Sequence, residues 1–362
     1  MALGNVRWLG GWVAMLAVSA LPSTGAAQPA PGGAPAATTA PAESGGAPSA
    51  ANKLPAANPG PVPPLAPTTE SAPAPPPRIP TDRITYDFTV GARYNPLGLE
   101  ALYNLAYRRR LYASDSPVLR DNNFSVGISP TLSPGIVRMG GFVEFRPLTI
   151  LTLHGAVHNV GYPGAFNMLQ QFRTLSEDYG DKTLRDRQDD PVIGNKPESG
   201  LEVMARANLL AKVGPIVLRN DLLFTYVNMG VPEELGPLFY NQRFDMMLQD
   251  RSWFMHQDTD VLYFSDFGLV AGARLGTSHT FVSEENLGGE EFGDRRTQMR
   301  LGPLAAYTFH DEPGTRWNKP TAILALQWWL MHPWRTGEDS SQGIPMITAA
   351  FRFEGDLFRS DD

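Results

Sequence analysis

The chain has 362 residues, a formal net charge of −7 and no cysteine. The missing cysteine excludes disulfides, a lipid-modified N-terminal cysteine and zinc or haem sites built on thiolates. The acidic balance speaks against a nucleic-acid partner, which would require a basic face. Mean hydropathy is −0.21, a value compatible with a soluble protein and equally with a transmembrane β-barrel, in which only alternate residues meet lipid.

Residues 1–27 carry one cation, Arg7, followed by the apolar stretch WLGGWVAMLAVSAL, helix-breaking Pro22 and the small residues STGAA. That order predicts a secretory signal peptide cleaved after Ala27. The apolar run falls short of the ~20 residues that a spanning helix needs. Residues 28–82 are rich in proline, alanine and glycine and nearly free of aromatic and β-branched residues. Such a segment buries too little apolar surface to offset its ordering entropy, so it is expected to be disordered, with polyproline II character in its richest proline runs.

A different pattern begins at residue 83. In ITYDFTVGAR, Ile84, Tyr86, Phe88, Val90 and Ala92 share one parity, and Thr85, Asp87, Thr89, Gly91 and Arg93 share the other. Period two means a strand with one apolar and one polar face. GLEALYNLAYRR repeats it, with Leu99, Tyr103 and Tyr107 opposed to Glu100, Asn104 and Arg108. Further strands are expected at 123–132, 136–146, 149–160, 200–213, 215–228, 252–264, 267–281, 297–309, 320–331 and 344–354. Many reach the ~9–11 residues of a tilted membrane-crossing strand, beyond the five or six usual in soluble sheets.

From residue 149 onward, long and short connections alternate. RPLT, GP and SD are tight, whereas 161–199, 229–251, 283–296 and 332–343 are long and polar. This is the loop pattern of an up-and-down transmembrane barrel with both ends of the wall at one membrane face. The expected fold is therefore all-β: a transmembrane antiparallel barrel of about twelve strands over residues 83–358. FYNQRFDMMLQ at 239–249 would break the strand parity if it joined the wall, and is assigned to a long extracellular hairpin. Trp328, Trp329 and Trp334 are expected in the outer aromatic girdle.

The last strand, IPMITAAFRFEGDLF, resembles the C-terminal strand of Gram-negative outer-membrane β-barrels, with Phe351 and Phe353 at its paired aromatic positions. The resemblance implies an outer-membrane location and recognition by the barrel-assembly machinery. Outer-membrane lipid and lipopolysaccharide are the surrounding partners, and the tail at 28–82 could reach the cell wall or a periplasmic protein.

If the apolar parity meets lipid, the polar parity lines a lumen of mixed charge. The most specific constellation is HQDTD, in which His256, Asp258 and Asp260 share one strand face at about 6.8 Å spacing. These residues could bias a pore towards cations, or pair with lumen arginines such as Arg274; Arg219 and Asp221 belong to the same candidate set. His154 and His158 stand ~13 Å apart on a strand and cannot chelate together as they would on a helix. No catalytic or cofactor motif occurs. Ser278 and His279 are sequence neighbours, so they face opposite sides of a strand and cannot pair. The acidic loops at 176–190 and 283–294 lack calcium-loop spacing. A passive channel for small polar solutes is the leading functional expectation, with an anchoring barrel and an outer-membrane lipid hydrolase as alternatives.

Overall fold

The computed structural model describes residues 79–166, 168–289, 295–335 and 343–360. The expected signal peptide and most of the proline-rich segment lie outside the described residues. In chain order the strands are β1 (Asp82–Tyr94), β2 (Gly98–Arg109), β3 (Asn123–Ile128), β4 (Thr131–Ser133), β5 (Ile136–Leu148), β6 (Leu151–Pro163), β7 (Gln171–Phe172), β8 (Pro197–Val213) and β9 (Ile216–Asn228). They continue with β10 (Leu238–Asn241), β11 (Met246–Gln249), β12 (Ser252–Phe264), β13 (Leu269–Thr280), β14 (Thr297–Thr308), β15 (Asn318–Met331) and β16 (Met346–Arg359). One short helix, α1 (Asp181–Arg187), lies between β7 and β8.

Thirteen of these strands form one sheet, and β1 pairs with both β2 and β16, so the sheet closes on itself. β3 and β4 occupy the same place between β2 and β5, as two pieces of one wall strand. The wall is thus a closed barrel of 12 antiparallel strands. Closure matters physically because lipid offers no hydrogen bonds to a free sheet edge. Both ends of the wall, Arg83 on β1 and Arg359 on β16, are register partners at one end of the barrel, hereafter the proximal end.

The outer surface is apolar in the middle, with Val143 48 %, Val157 50 % and Leu324 47 % exposed. Aromatic rings bound this band on both sides. Tyr94, Trp253, Phe281 and Trp328 are exposed towards the distal end, and Tyr107, Phe124, Phe145, Tyr263 and Tyr307 towards the proximal end. Two girdles around an apolar belt match a bilayer and its two headgroup layers. The proximal turns at 149–150 and 214–215 are tight. Gly214, at φ +59°, supplies the left-handed residue that a two-residue hairpin turn uses.

The distal loops are not merely solvated. β10 and β11 form a hairpin that joins β7 in a separate three-stranded sheet, outside the wall. Phe172, Leu175, Tyr179, Leu184, Leu238 and Met247 give this cap its own buried core. The segment 239–249 is therefore a hairpin, as its parity demanded, but it folds inward instead of standing above the wall. Its Phe244 ring lies 4.5 Å from that of Phe254, an inward residue of β12. Of the three tryptophans expected in the girdle, only Trp328 faces outward. Trp329 is buried beneath Arg300, and Trp334 packs against the cap with Arg295 over its ring.

Candidate functional site

The lumen has two unlike halves. On the side of β8, β9, β12 and β13, register sets Arg219, Asp260 and Arg274 in one row and Asp221, Asp258 and Gly276 in the next. Arg274 donates Nε to Asp260 Oδ1 at 2.7 Å and Nη2 to Oδ2 at 2.9 Å, a bidentate pair. Its Nη1 also lies 3.3 Å from Asp258 Oδ2. Arg219 completes the triad on Asp260. Beside it Arg206 forks onto Asp221, with Nε to Oδ1 at 2.6 Å. Asp260 and Arg274 are both 0 % exposed. Gly276 makes room for this row, since a Cβ there would stand 3.1 Å from Asp258 Oδ1 and 3.5 Å from Arg300 Nη2. All six predicted candidates, His256, Asp258, Asp260, Arg274, Arg219 and Asp221, thus fall in one contiguous network.

The network rests on a dry floor. Towards the proximal end of β9 and β12 to β15 the inward residues are Val217, Leu262, Phe264, Val270, Leu304 and Ile323, all buried in the apolar core. Charges above such a floor are held by one another, and bidentate geometry is what makes burial of ionised groups tolerable. His256 accepts or donates at Ser278 Oγ (2.8 Å) through Nδ1, and its Nε2 lies 3.4 Å from Asp258 Oδ1. This Ser–His–Asp line crosses between β12 and β13, a pairing that sequence adjacency with His279 hides. It points inward, with the Phe244 ring 5.4 Å from the imidazole.

The other half is lined by β16, β1, β2, β3 and β5. On β1 the inward residues Thr85, Asp87, Thr89 and Arg93 are polar along the strand, whereas Leu102, Ala106, Phe142 and Ala350 on the neighbouring strands are buried and apolar. The buried polar residues of this half include Arg146, Arg108 and the latter's register partner Ser125 towards the proximal end, with Asp87, Asn104 and Thr89 further up. Asn104 Nδ2 donates to both Asp87 oxygens at 3.1 and 3.2 Å. Higher up, Arg138 pairs with Glu202, and the charges of Arg138, Glu100 and Glu202 act on the Arg243 guanidinium. This polar track ends distally at the hairpin tip, residues 242–245.

The tip is fastened by polar contacts. Arg93 of β1 donates Nη1 to the Arg243 carbonyl at 2.8 Å and Nη2 to the Gln242 carbonyl at 2.7 Å. Asp245 receives Tyr240 Oη at 2.7 Å and Arg335 Nη2 at 3.0 Å on Oδ1, and His332 Nε2 lies 3.2 Å from its Oδ2. Arg335 also grips Asp181 of α1 through two 2.9 Å bonds and Asn95 through one of 3.0 Å. Burial pushes the Asp245 carboxyl up, but Arg335 and His332 outweigh it and hold it well below the usual carboxylate range. Apart from Arg93, marked by the alternation of its strand, these latch residues do not stand out in the sequence, because Asn95, Asp181, Asp245, His332 and Arg335 come from four separate loops.

His154 and His158 both face inward; His154 stacks 5.2 Å from Phe142, and His158 Nε2 meets Ser129 Oγ at 2.7 Å. Phe351 and Phe353 lie on the outer face at the closing seam, in register with Val90 and Phe88. Phe353 stacks on Trp317 at 3.9 Å. The acidic loop at 176–190 contains α1 and donates Asp181 to the latch, while the loop at 283–294 is described only in part.

No protein-family model matches the chain, and a search of curated proteins finds no match either. Solved structures with a similar outline include the NanC porin (8% identity, covering 75% of this chain and 100% of that one, TM-score 0.36). An outer membrane channel from Pseudomonas putida F1 has 11% identity over 81% of this chain and 100% of its own, with TM-score 0.36. The translocator domain of the autotransporter NalP from Neisseria meningitidis has 10% identity over 77% of this chain and 89% of its own, with TM-score 0.34. Likeness at this level carries no functional argument. The class, a transmembrane β-barrel, rests on the closed sheet, its apolar belt and its two girdles.

Proposed function

We propose that the protein is a Gram-negative outer-membrane channel for small polar solutes, with its proximal end in the periplasm and its inward hairpin as the closing element. The polar track along β1, from Thr85 through Asp87 and Thr89 to Arg93, carries this reading, because it leads from the proximal mouth to a hairpin tip held by Arg93 and the Asp245–Arg335 latch. Hydroxyl, amide and charged groups on one wall give a solute or water the partners that the apolar floor denies it on the other. A lipid hydrolase would need its nucleophile at the lipid face, whereas Ser278 is inward and 3 % exposed. The acidic distal loops would then meet lipopolysaccharide, Phe351 and Phe353 would serve the barrel-assembly machinery, and the segment 28–82 would extend in the periplasm towards the cell wall or a protein there.

The hairpin can be excised without touching the wall register, because β9 and β12 pair directly from Val227 and Ser252 down to Ile216 and Tyr263. Replacing residues 231–249 by a short glycine–serine link should convert a largely silent protein into a conducting one in planar bilayers. An anchoring barrel is the second reading, carried by the near-complete burial of Thr89, Ser125 and Thr348 within the track. It predicts no current from either protein.

A further inference from the structure

The proximal mouth holds a concave vestibule beneath the polar track, bounded by β1, β2, β16 and the turns at 110–122 and 309–317. Seven cationic side chains and four carboxylates line it. That surplus is opposite in sign to the chain as a whole, whose net charge is −7. The carboxylates are already engaged. Asp356 accepts from Arg359 Nε at 2.8 Å, Glu354 is shared by Lys319 (3.4 Å) and Arg352 (3.5 Å), and Asp87 holds the Asn104 amide. Arg83 lines the same space, and among the described residues its side chain makes no close hydrogen bond or ion pair, feeling the charges of Asp356 and Asp121 only through space.

We propose that this vestibule binds a small multivalent anion of the phosphate or polycarboxylate class, gripped by Arg83 with Arg108 and Arg352 behind it. A guanidinium offers paired donors that match a tetrahedral or carboxylate anion, and several of them in one concavity focus the field on it. A monovalent anion would leave most of the surplus uncompensated. The site deepens the channel reading, and rests on it for passage, since the vestibule is the proximal opening of the track. It supplies the selectivity that Asp258 and Asp260 do not, because those carboxylates are neutralised by Arg274 and Arg219 above the dry floor.

Calorimetric titration of the intact detergent-solubilised protein with inorganic phosphate, at fixed ionic strength set by chloride, tests the site. Saturable binding is expected, weakened at least about tenfold in Arg83→Gln, the loss expected for one charge-assisted contact. Lys212→Gln, at the same end but outside the vestibule, should bind as the intact protein does. Arg83 is half-buried at the rim and makes no close side-chain ion pair, so its loss should leave assembly intact, checked by heat-induced unfolding. Absence of saturable phosphate binding, or equal binding by Arg83→Gln, would overturn the proposal. Bilayer currents of the hairpin-excised protein separate the two readings. Phosphate binding without current keeps the site and sinks the channel, and current without binding does the reverse.

Discussion

The two halves of the lumen use the same residue types to opposite ends. Around Asp260 the charges are matched in ion pairs, that with Arg274 bidentate, over a floor of Val217, Leu262 and Leu304, and Asp260 and Arg274 are fully buried. Along β1 the inward charges alternate with the hydroxyls of Thr85 and Thr89, beside the Asn104 amide of β2, and open proximally into a cationic mouth. A buried ion pair and a pore-lining charge are thus told apart by what lies next to them along the strand, not by their own identity.

The largest effect should come from breaking the matched half. Asp260→Asn leaves Arg219 and Arg274 buried without their shared partner and should cost about 3–5 kcal/mol. Heat-induced loss of the folded band on a gel would register it, while the reversal potential of the hairpin-excised protein should stay unchanged. A shift in selectivity without a loss of stability would reverse the assignment of the two halves. Gly276→Ala should be milder, about 1 kcal/mol, because the new methyl intrudes between Asp258 and Arg300 and one flexible side chain can give way.

The track should behave in the opposite manner. Asp87→Asn keeps a hydrogen-bond partner for Asn104 and should cost no more than about 1–2 kcal/mol. In the hairpin-excised protein it should move the reversal potential further towards anions, since it removes a fixed negative charge from a poorly screened passage. An unchanged potential would mean that ions do not pass this wall.

Much of this was legible in the sequence, for a physical reason. A wall strand has lipid on one face and lumen on the other, so β1 and β2 alternate residue by residue and their boundaries can be read within a few positions. The six-residue network around HQDTD was also within reach, because two-residue spacing puts side chains on one face. The inward hairpin was not, since Leu238, Phe239, Met246 and Met247 are buried on both faces and show no period. The dry floor did leave a trace. Residues 261–264 read VLYF, where alternation fails and both faces turn apolar. That failure marks where the lumen closes.

The smallest expected effect concerns pH. Asp245 has its folded value depressed below the 3.8 of a free aspartate. Its contribution to the latch is therefore complete above that value and lost only as pH falls through the lower, folded one. Acidification from pH 7 to pH 5 should not release the hairpin through this group, whereas Arg335→Gln at pH 7 should increase the frequency of channel openings in bilayers.

Thiol accessibility tests the division of the lumen most directly, because the chain has no cysteine of its own. Single cysteines at Thr89 and Ser125 in the track, and at Leu262 and Leu304 in the floor, can be exposed to a membrane-impermeant maleimide from the distal side, with the hairpin present or excised. The account predicts protection of all four in the intact protein. After excision, Thr89→Cys and Ser125→Cys should react while Leu262→Cys and Leu304→Cys stay protected. Labelling of the floor positions, or continued protection of the track positions once the hairpin is gone, would contradict it.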